Sequence, residues 1–361
     1  MSSVTARINE IHQPHGGYVR IKDFQCAQTD DGYTLGEENI HPTLVGLAVD
    51  YLTRFMLGND VYNAFDVSLL GAASVGQSKN AERLLSYIRG LDDRSVFCAC
   101  QVCGYDVCAR NSPSYFKPVE QICPDIQTIQ NIQIMVQRTL SFFEQNGPVI
   151  RMGLTFEGGY TQIVDSGDGD YLTANTLWDL KVSTKEPTSK HSLQLLMYYL
   201  LGINSIHDEF QKIDYIGIYN PRMNKVYTLE IGMIPEAIMN EVAVDVIGYT
   251  HIKDQDGLSV FVDAQHEADD MLPELLNVDA VCAWLKVKRK CVYTMLCEGE
   301  LVAGKNQYQY GIWKDSVMAY CIRKEVEKSR KRKRWIKACV LAVLLGAVAV
   351  YRLFQALEMI G

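Results

Sequence analysis

Apolar residues recur along this chain with two periods, and the switches between them predict its architecture. At helical spacing, Leu44, Val45, Ala48, Leu52 and Phe55 follow His41-Pro42-Thr43 and stop at Gly58, which predicts a helix over 41–57. Helical patterns continue through 62–72 and 79–90. Ile126, Ile129, Ile132, Val136, Leu140 and Phe143 mark a longer helix over 125–145, opened by Pro124 and stopped by Gly147-Pro148. A further helix over about 189–202, capped by Thr188 or Ser189 and closed by Gly202, is so rich in Leu and Met that it should press onto a sheet. Elsewhere the pattern is that of strands: Val149–Phe156, 168–172, 177–183, Ile213–Tyr219 and Lys225–Ile231. Asn220-Pro-Arg-Met-Asn224 joins the last two as a hairpin. A short strand is expected near Tyr18–Phe24 and a helix over about 234–247. The order helix, three strands, helix, two strands, helix predicts an α/β fold with a mixed central β-sheet flanked by helices and helical N-terminal additions. Beyond it, 251–322 reads as an acidic connection followed by helices around Val281–Cys297 and Trp313–Ile322.

With 361 residues the chain can bury a large core. Its eleven cysteines are an odd number, and the polar N-terminus lacks a signal-peptide pattern, so a reducing, cytoplasmic body is expected. Cys98, Cys100, Cys103, Cys108 and Cys123 contain one C-x2-C but no second pair. Core packing is therefore expected of them before a zinc or iron–sulfur site.

The chemistry concentrates in Gly167–Tyr198. Side chains alternate along a strand, so Asp179 and Lys181 share one face and Leu180 takes the other. The tight connection Thr173-Ala-Asn-Thr176 lets a paired strand bring Asp170 beside them, with Asp168 on the same face as a rival. Two carboxylates and an ammonium then converge, and like charges so close favour a divalent metal held by oxygen ligands. On the following helix Gln194 and Tyr198 are four apart and share a face, with His191 one turn earlier. Upstream, Gly46 and Asp50 are also four apart, and the glycine leaves open space on the aspartate's face. Asp50 is equally placed for an ion pair with Arg54.

The pattern Asp-x8-Asp-x-Lys, followed thirteen residues later by Gln-x3-Tyr, resembles the PD-(D/E)XK nuclease superfamily. It is most similar to the RecB-type branch that includes exonucleases of the lambda kind. Gly167–Asp170, Asp179–Lys181 and Gln194–Tyr198 carry the resemblance, which covers about 150–231. It implies a restriction-endonuclease-like core and Mg2+- or Mn2+-dependent hydrolysis of DNA. Asp170, Asp179 and the Leu180 carbonyl would hold the metal, with Asp50 as a fourth ligand in a slot where the family often carries His or an acid. Lys181 would orient a water or stabilise developing phosphoryl charge. Gln194 and Tyr198 would position the metal shell or the DNA backbone. No G-x4-G-K-[ST] loop is present, so a fused helicase motor is not expected.

Charge narrows where DNA could bind. The net charge is −8, and Arg323–Gly361 holds ten Lys/Arg against three Glu, leaving −15 for residues 1–322. A DNA surface on that body has to be local, and Lys181, Lys185, Lys190, Arg222 and Lys225 are its candidates. The tail carries the basic run KSRKRKRWIK over 328–337, then fourteen uncharged residues from Ala338 to Tyr351. Continued to Gly361, that segment has the length of a C-terminal transmembrane helix with a positive-inside flank. The chain thus divides into a nuclease-like domain over 1–250, an acidic and helical accessory region over 251–327, and a basic flank with a hydrophobic helix over 328–361. The core of the first is expected at about 124–250, with helices contributing from about 41.

Overall fold

The strand-patterned segments assemble into one six-stranded mixed sheet. In chain order its strands are β1 (Gln25–Gln28), β2 (Arg151–Leu154), β3 (Gly169–Leu172), β4 (Thr176–Leu180), β5 (Tyr215–Asn220) and β6 (Lys225–Glu230). In space the order is β1-β6-β5-β4-β3-β2. All neighbours are antiparallel except β4 and β5, which run parallel and need a crossover. The computed structural model describes residues 2–253, 259–262, 275–305, 310–321 and 323–324. The expected basic flank and hydrophobic helix over 328–361 lie outside them. Among the described residues no helix is long and apolar enough to cross a membrane.

Three helices position the site: α1 (Pro42–Met56), α2 (Ile126–Asn146) and α3 (Ser189–Ile203). Their ends follow local chemistry. Proline opens α1 beside a His41 cap, and Asp125 caps α2 by accepting the Thr128 N–H. Thr188 and His191 close a capping box at the start of α3. The third helix is the β4–β5 crossover, and its Leu193, Leu196 and Leu200 bury one sheet face with Leu172, Leu177, Ile216 and Ile218. The opposite face is aromatic. Phe142 of α2 stacks on Tyr219 at 4.1 Å and meets Trp178 edge-on at 4.8 Å between ring centroids.

Residues 1–124 contribute more than helices. The strand expected at Tyr18–Phe24 lies instead at Gln25–Gln28, where every side chain is exposed and only the backbone pairs with β6. Residues 21–23 form a 3-10 turn between buried Val19 and Phe24. Ser2–Ser3 pairs with Val164–Ser166 in a separate two-stranded sheet. The Val4–Glu10 helix packs on α3, and the helices over 61–110 pack around α1. Among them Asp93–Cys103 and its neighbour Asp106–Arg110 bury Cys98, Cys100, Cys103 and Cys108, and burial pushes those thiols up. Described parts of the accessory region join this core through Val281, Val292 and Leu296 of the Val278–Leu285 and Arg289–Cys297 helices. The expected helix over 234–247 is an α-helix at Glu236–Glu241 continued by a π-helical turn over Val242–Ile247.

Candidate active site

The site grows from the β3–β4 hairpin. Thr173 and Thr176 close its turn, and the register pairs Leu172 with Leu177 and Tyr171 with Trp178. One step further, Asp170 stands across from Asp179. Tyr171 and Trp178 occupy the aromatic face, so the pleat turns both aspartates toward the side covered by α3. The Asp170 Oδ2 accepts the Leu180 N–H at 2.6 Å, which fixes that carboxylate against the next strand. Lys181 continues the sheet by one rung through its N–H to the Tyr219 carbonyl.

Asp179 is 2% exposed. The Lys181 Nζ lies 3.0 Å from its Oδ1 and 2.9 Å from its Oδ2, but Oδ2 accepts no hydrogen bond of acceptable direction. The electrostatics show crowding. Burial, then the like charges of Asp179 and Asp50, push Asp170 well above the usual carboxylate range, offset in part by Lys181 and Arg54. Burial alone would lower the Lys181 ammonium, yet Asp179 and Asp170 hold it above its ordinary value.

Asp50 comes from α1, and a Cβ built on Gly46, one turn before it, would meet only Val182 Cβ at 3.9 Å. The open space expected there exists. Its carboxylate, however, is engaged. Arg54 donates Nε to Oδ1 at 3.0 Å and places Nη2 2.7 Å from Oδ2, and the Tyr171 hydroxyl donates to Oδ1 at 2.7 Å. Asp50 therefore enters the site as the partner of Arg54 rather than as a free fourth ligand. The same Nη2 is 3.7 Å from Asp170 Oδ1. Arg54 is 8% exposed, lies between the Tyr51 and Tyr171 rings, and has Nη1 only 2.8 Å from where a Cβ at Gly153 would stand.

Asp168 has a different job from Asp170. Its carboxylate accepts from Arg110 Nη2 at 2.8 Å, and its backbone carbonyl accepts the Tyr198 hydroxyl at 2.9 Å. Arg110 in turn donates Nε to buried Asp106, which also receives the hydroxyls of Tyr51 and Ser68. Burial would raise Asp168, but Arg110 and Arg54 hold it below the usual carboxylate range. Gln194 donates to the Tyr198 hydroxyl at 2.9 Å. Gln194 and Tyr198 are thus joined to each other and to the turn that leads into Asp170. His191 faces its own helix start, accepting the Thr188 N–H.

Of the surface cations expected to track DNA, Lys225 pairs with Glu186, Arg222 with Glu38, and Lys190 with the Asn9 side-chain amide. The expected i,i+4 ion pair of Asp50 with Arg54 forms. Arg110 is the site residue that pattern reading missed, since no local spacing ties it to Asp168.

Among the described residues no group of three or more His, Cys, Asp or Glu side chains is placed to hold a metal ion. What remains that suits a hard cation is the pair of opposed carboxylates, Asp170 and Asp179. No family model, curated protein or solved structure matches this chain.

Proposed function

We propose that this protein is a metal-dependent nuclease that hydrolyses DNA phosphodiester bonds at the Asp170–Asp179–Lys181 cluster. The observation that carries the reading is the pairing of two inward carboxylates across one hairpin, with a lysine ion-paired to the second. One ammonium between two buried carboxyl groups leaves Asp170 pushed well above the usual carboxylate range, a mismatch that a divalent cation would relieve. The resemblance to the PD-(D/E)XK pattern supports the same assignment. Mg2+ or Mn2+ would be held by Asp170, Asp179 and the Leu180 carbonyl, supplying an acidified water and charge neutralisation at the scissile phosphate. Lys181 keeps its proton beside two carboxylates and offers an ammonium to the attacking water or to developing phosphoryl charge. Tyr198 and Gln194 act as positioning residues, because their hydrogen bonds run to the Asp168 carbonyl and to each other.

The test is cleavage of linear and nicked DNA with Mg2+ or Mn2+, beside an Asp179→Ala variant. Metal-dependent cleavage by the wild type alone is the expected result. Equal activity in both preparations, or none in either across metals and DNA ends, would remove the proposal. The basic and apolar tail supports attachment of this body to the inner face of a membrane. Deleting 328–361 should then move the protein into the soluble fraction, and a full-length chain that is already soluble would contradict the attachment.

A second reading is favoured by Arg54, a buried cation beside both Asp50 and Asp170. It takes the protein as a nuclease-fold binding module without cleavage, attached to a membrane by its tail. That reading predicts nucleic-acid or partner binding that survives Lys181→Ala, with no cleavage by the wild type.

A further inference from the structure

We propose that Arg54 is a built-in counter-ion for Asp50 and Asp170 that a divalent cation displaces from Asp170, so that this guanidinium sets how readily the site takes up metal. The inference rests on the nuclease reading above. Its basis is the inequality of the two contacts. Arg54 holds Asp50, on its own helix, at 3.0 and 2.7 Å, but reaches Asp170, on the sheet, at only 3.7 Å. The second distance is beyond a hydrogen bond, so that contact is Coulombic and can be exchanged for another cation without breaking a directed bond.

The other contacts agree. Asp170 Oδ2 is committed to the Leu180 N–H, which leaves Oδ1 as the oxygen that faces Arg54. Tyr51 and Tyr171 flank the guanidinium, and Gly153 leaves a slot for Nη1. At Gly153 φ is +62°, where a side chain is disfavoured in any case, so the slot is built into the backbone of β2. In the metal-free site four carboxyl groups, Asp50, Asp168, Asp170 and Asp179, share three cations, Arg54, Lys181 and Arg110, and Asp170 bears the mismatch by being pushed well above the usual carboxylate range. A cation on Asp170 and Asp179 makes Arg54's hold on Asp170 redundant, while its grip on Asp50 keeps α1 in place. Arg54 thereby keeps the empty site folded and raises the metal concentration needed to fill it.

The experiment measures Mn2+ affinity of the full chain by calorimetry, and the Mn2+-induced shift in unfolding midpoint, for wild type, Arg54→Met and Arg54→Lys. Arg54→Met should bind Mn2+ about tenfold more tightly, the scale expected on removing a neighbouring positive charge at intermediate dielectric. Its midpoint without metal should fall, and added Mn2+ should raise it more than in wild type. Arg54→Lys keeps the charge but cannot span both carboxylates, so it should bind several-fold more tightly and serves as the deciding variant if Arg54→Met does not fold. Affinities and midpoint shifts equal to wild type in the folded variants would overturn the inference while leaving the nuclease reading intact. No Mn2+ binding by any of the three proteins, together with no cleavage, would overturn both.

Discussion

Replacing Asp179 by asparagine distinguishes a carboxylate placed for chemistry from one placed for stability. The side chain is 2% exposed, Lys181 is its ion-pair partner, and Asp170 stands opposite it on β3. The amide loses a charged hydrogen bond worth about 1.5–3 kcal/mol. Against this, it removes the repulsion from Asp170, an opposing effect of the same order at this range. The terms nearly cancel, so stability without metal should change by no more than about 1 kcal/mol, while cleavage falls to background. A purely structural buried pair behaves otherwise, since removing one partner costs about 3–5 kcal/mol. Urea unfolding of both proteins in chelator, fitted for midpoint and slope, measures the stability change, and a cleavage assay on the same preparations measures the other arm. A loss of about 3 kcal/mol or more with cleavage intact would refute the reasoning.

Other expectations follow from neighbouring contacts. Tyr198→Phe leaves the Asp168 carbonyl without its hydroxyl donor and should cost about 1–3 kcal/mol and slow cleavage. Gln194→Ala should do less, because its amide reaches the site through Tyr198, and total loss of cleavage in this variant alone would assign Gln194 a direct contact with DNA. Asp168 is held below the usual carboxylate range, so its contribution is present above that range and lost as pH falls through the depressed value. The stability gap between wild type and Asp168→Asn should therefore be full near neutrality and close in acid, and a gap independent of pH would show that Arg110 does not act through that charge. Gly153→Ala forces a side chain into a left-handed conformation, costing about 1–2 kcal/mol before its contact with Arg54 is counted. A wild-type unfolding midpoint would show that β2 relaxes there.

Legibility in the sequence tracked distance along the chain. Asp179 and Lys181 share a strand, and Asp170 is joined to them by a tight hairpin, so period and turn chemistry were enough to bring them together. Gln194 and Tyr198 were legible as a helical pair, but their shared link to the Asp168 carbonyl depends on how α3 lies on the sheet. Arg110 meets Asp168 across 58 residues, so no local rule could pair them. Asp50 shows a local preference prevailing: the i,i+4 arginine that any helix would offer holds the carboxylate that the family pattern would give to metal. The first strand was read a few residues early because its exposed Gln25, Cys26, Ala27 and Gln28 bury nothing and show no apolar alternation.

That edge strand also sets a clock. Gln25–Gln28 leaves the ribosome early, yet its partner Lys225–Thr228 follows about 200 residues later, a wait of roughly 10–40 s at ordinary rates of synthesis. Ser2–Ser3 waits in the same way for Val164–Ser166. Helices around α1 can form meanwhile from nearby contacts, bringing Asp50 and Arg54 together well before Asp170 exists. The order of emergence means that the arginine is already seated on its own helix when the hairpin arrives, and the acidic pair of the sheet is born next to a cation.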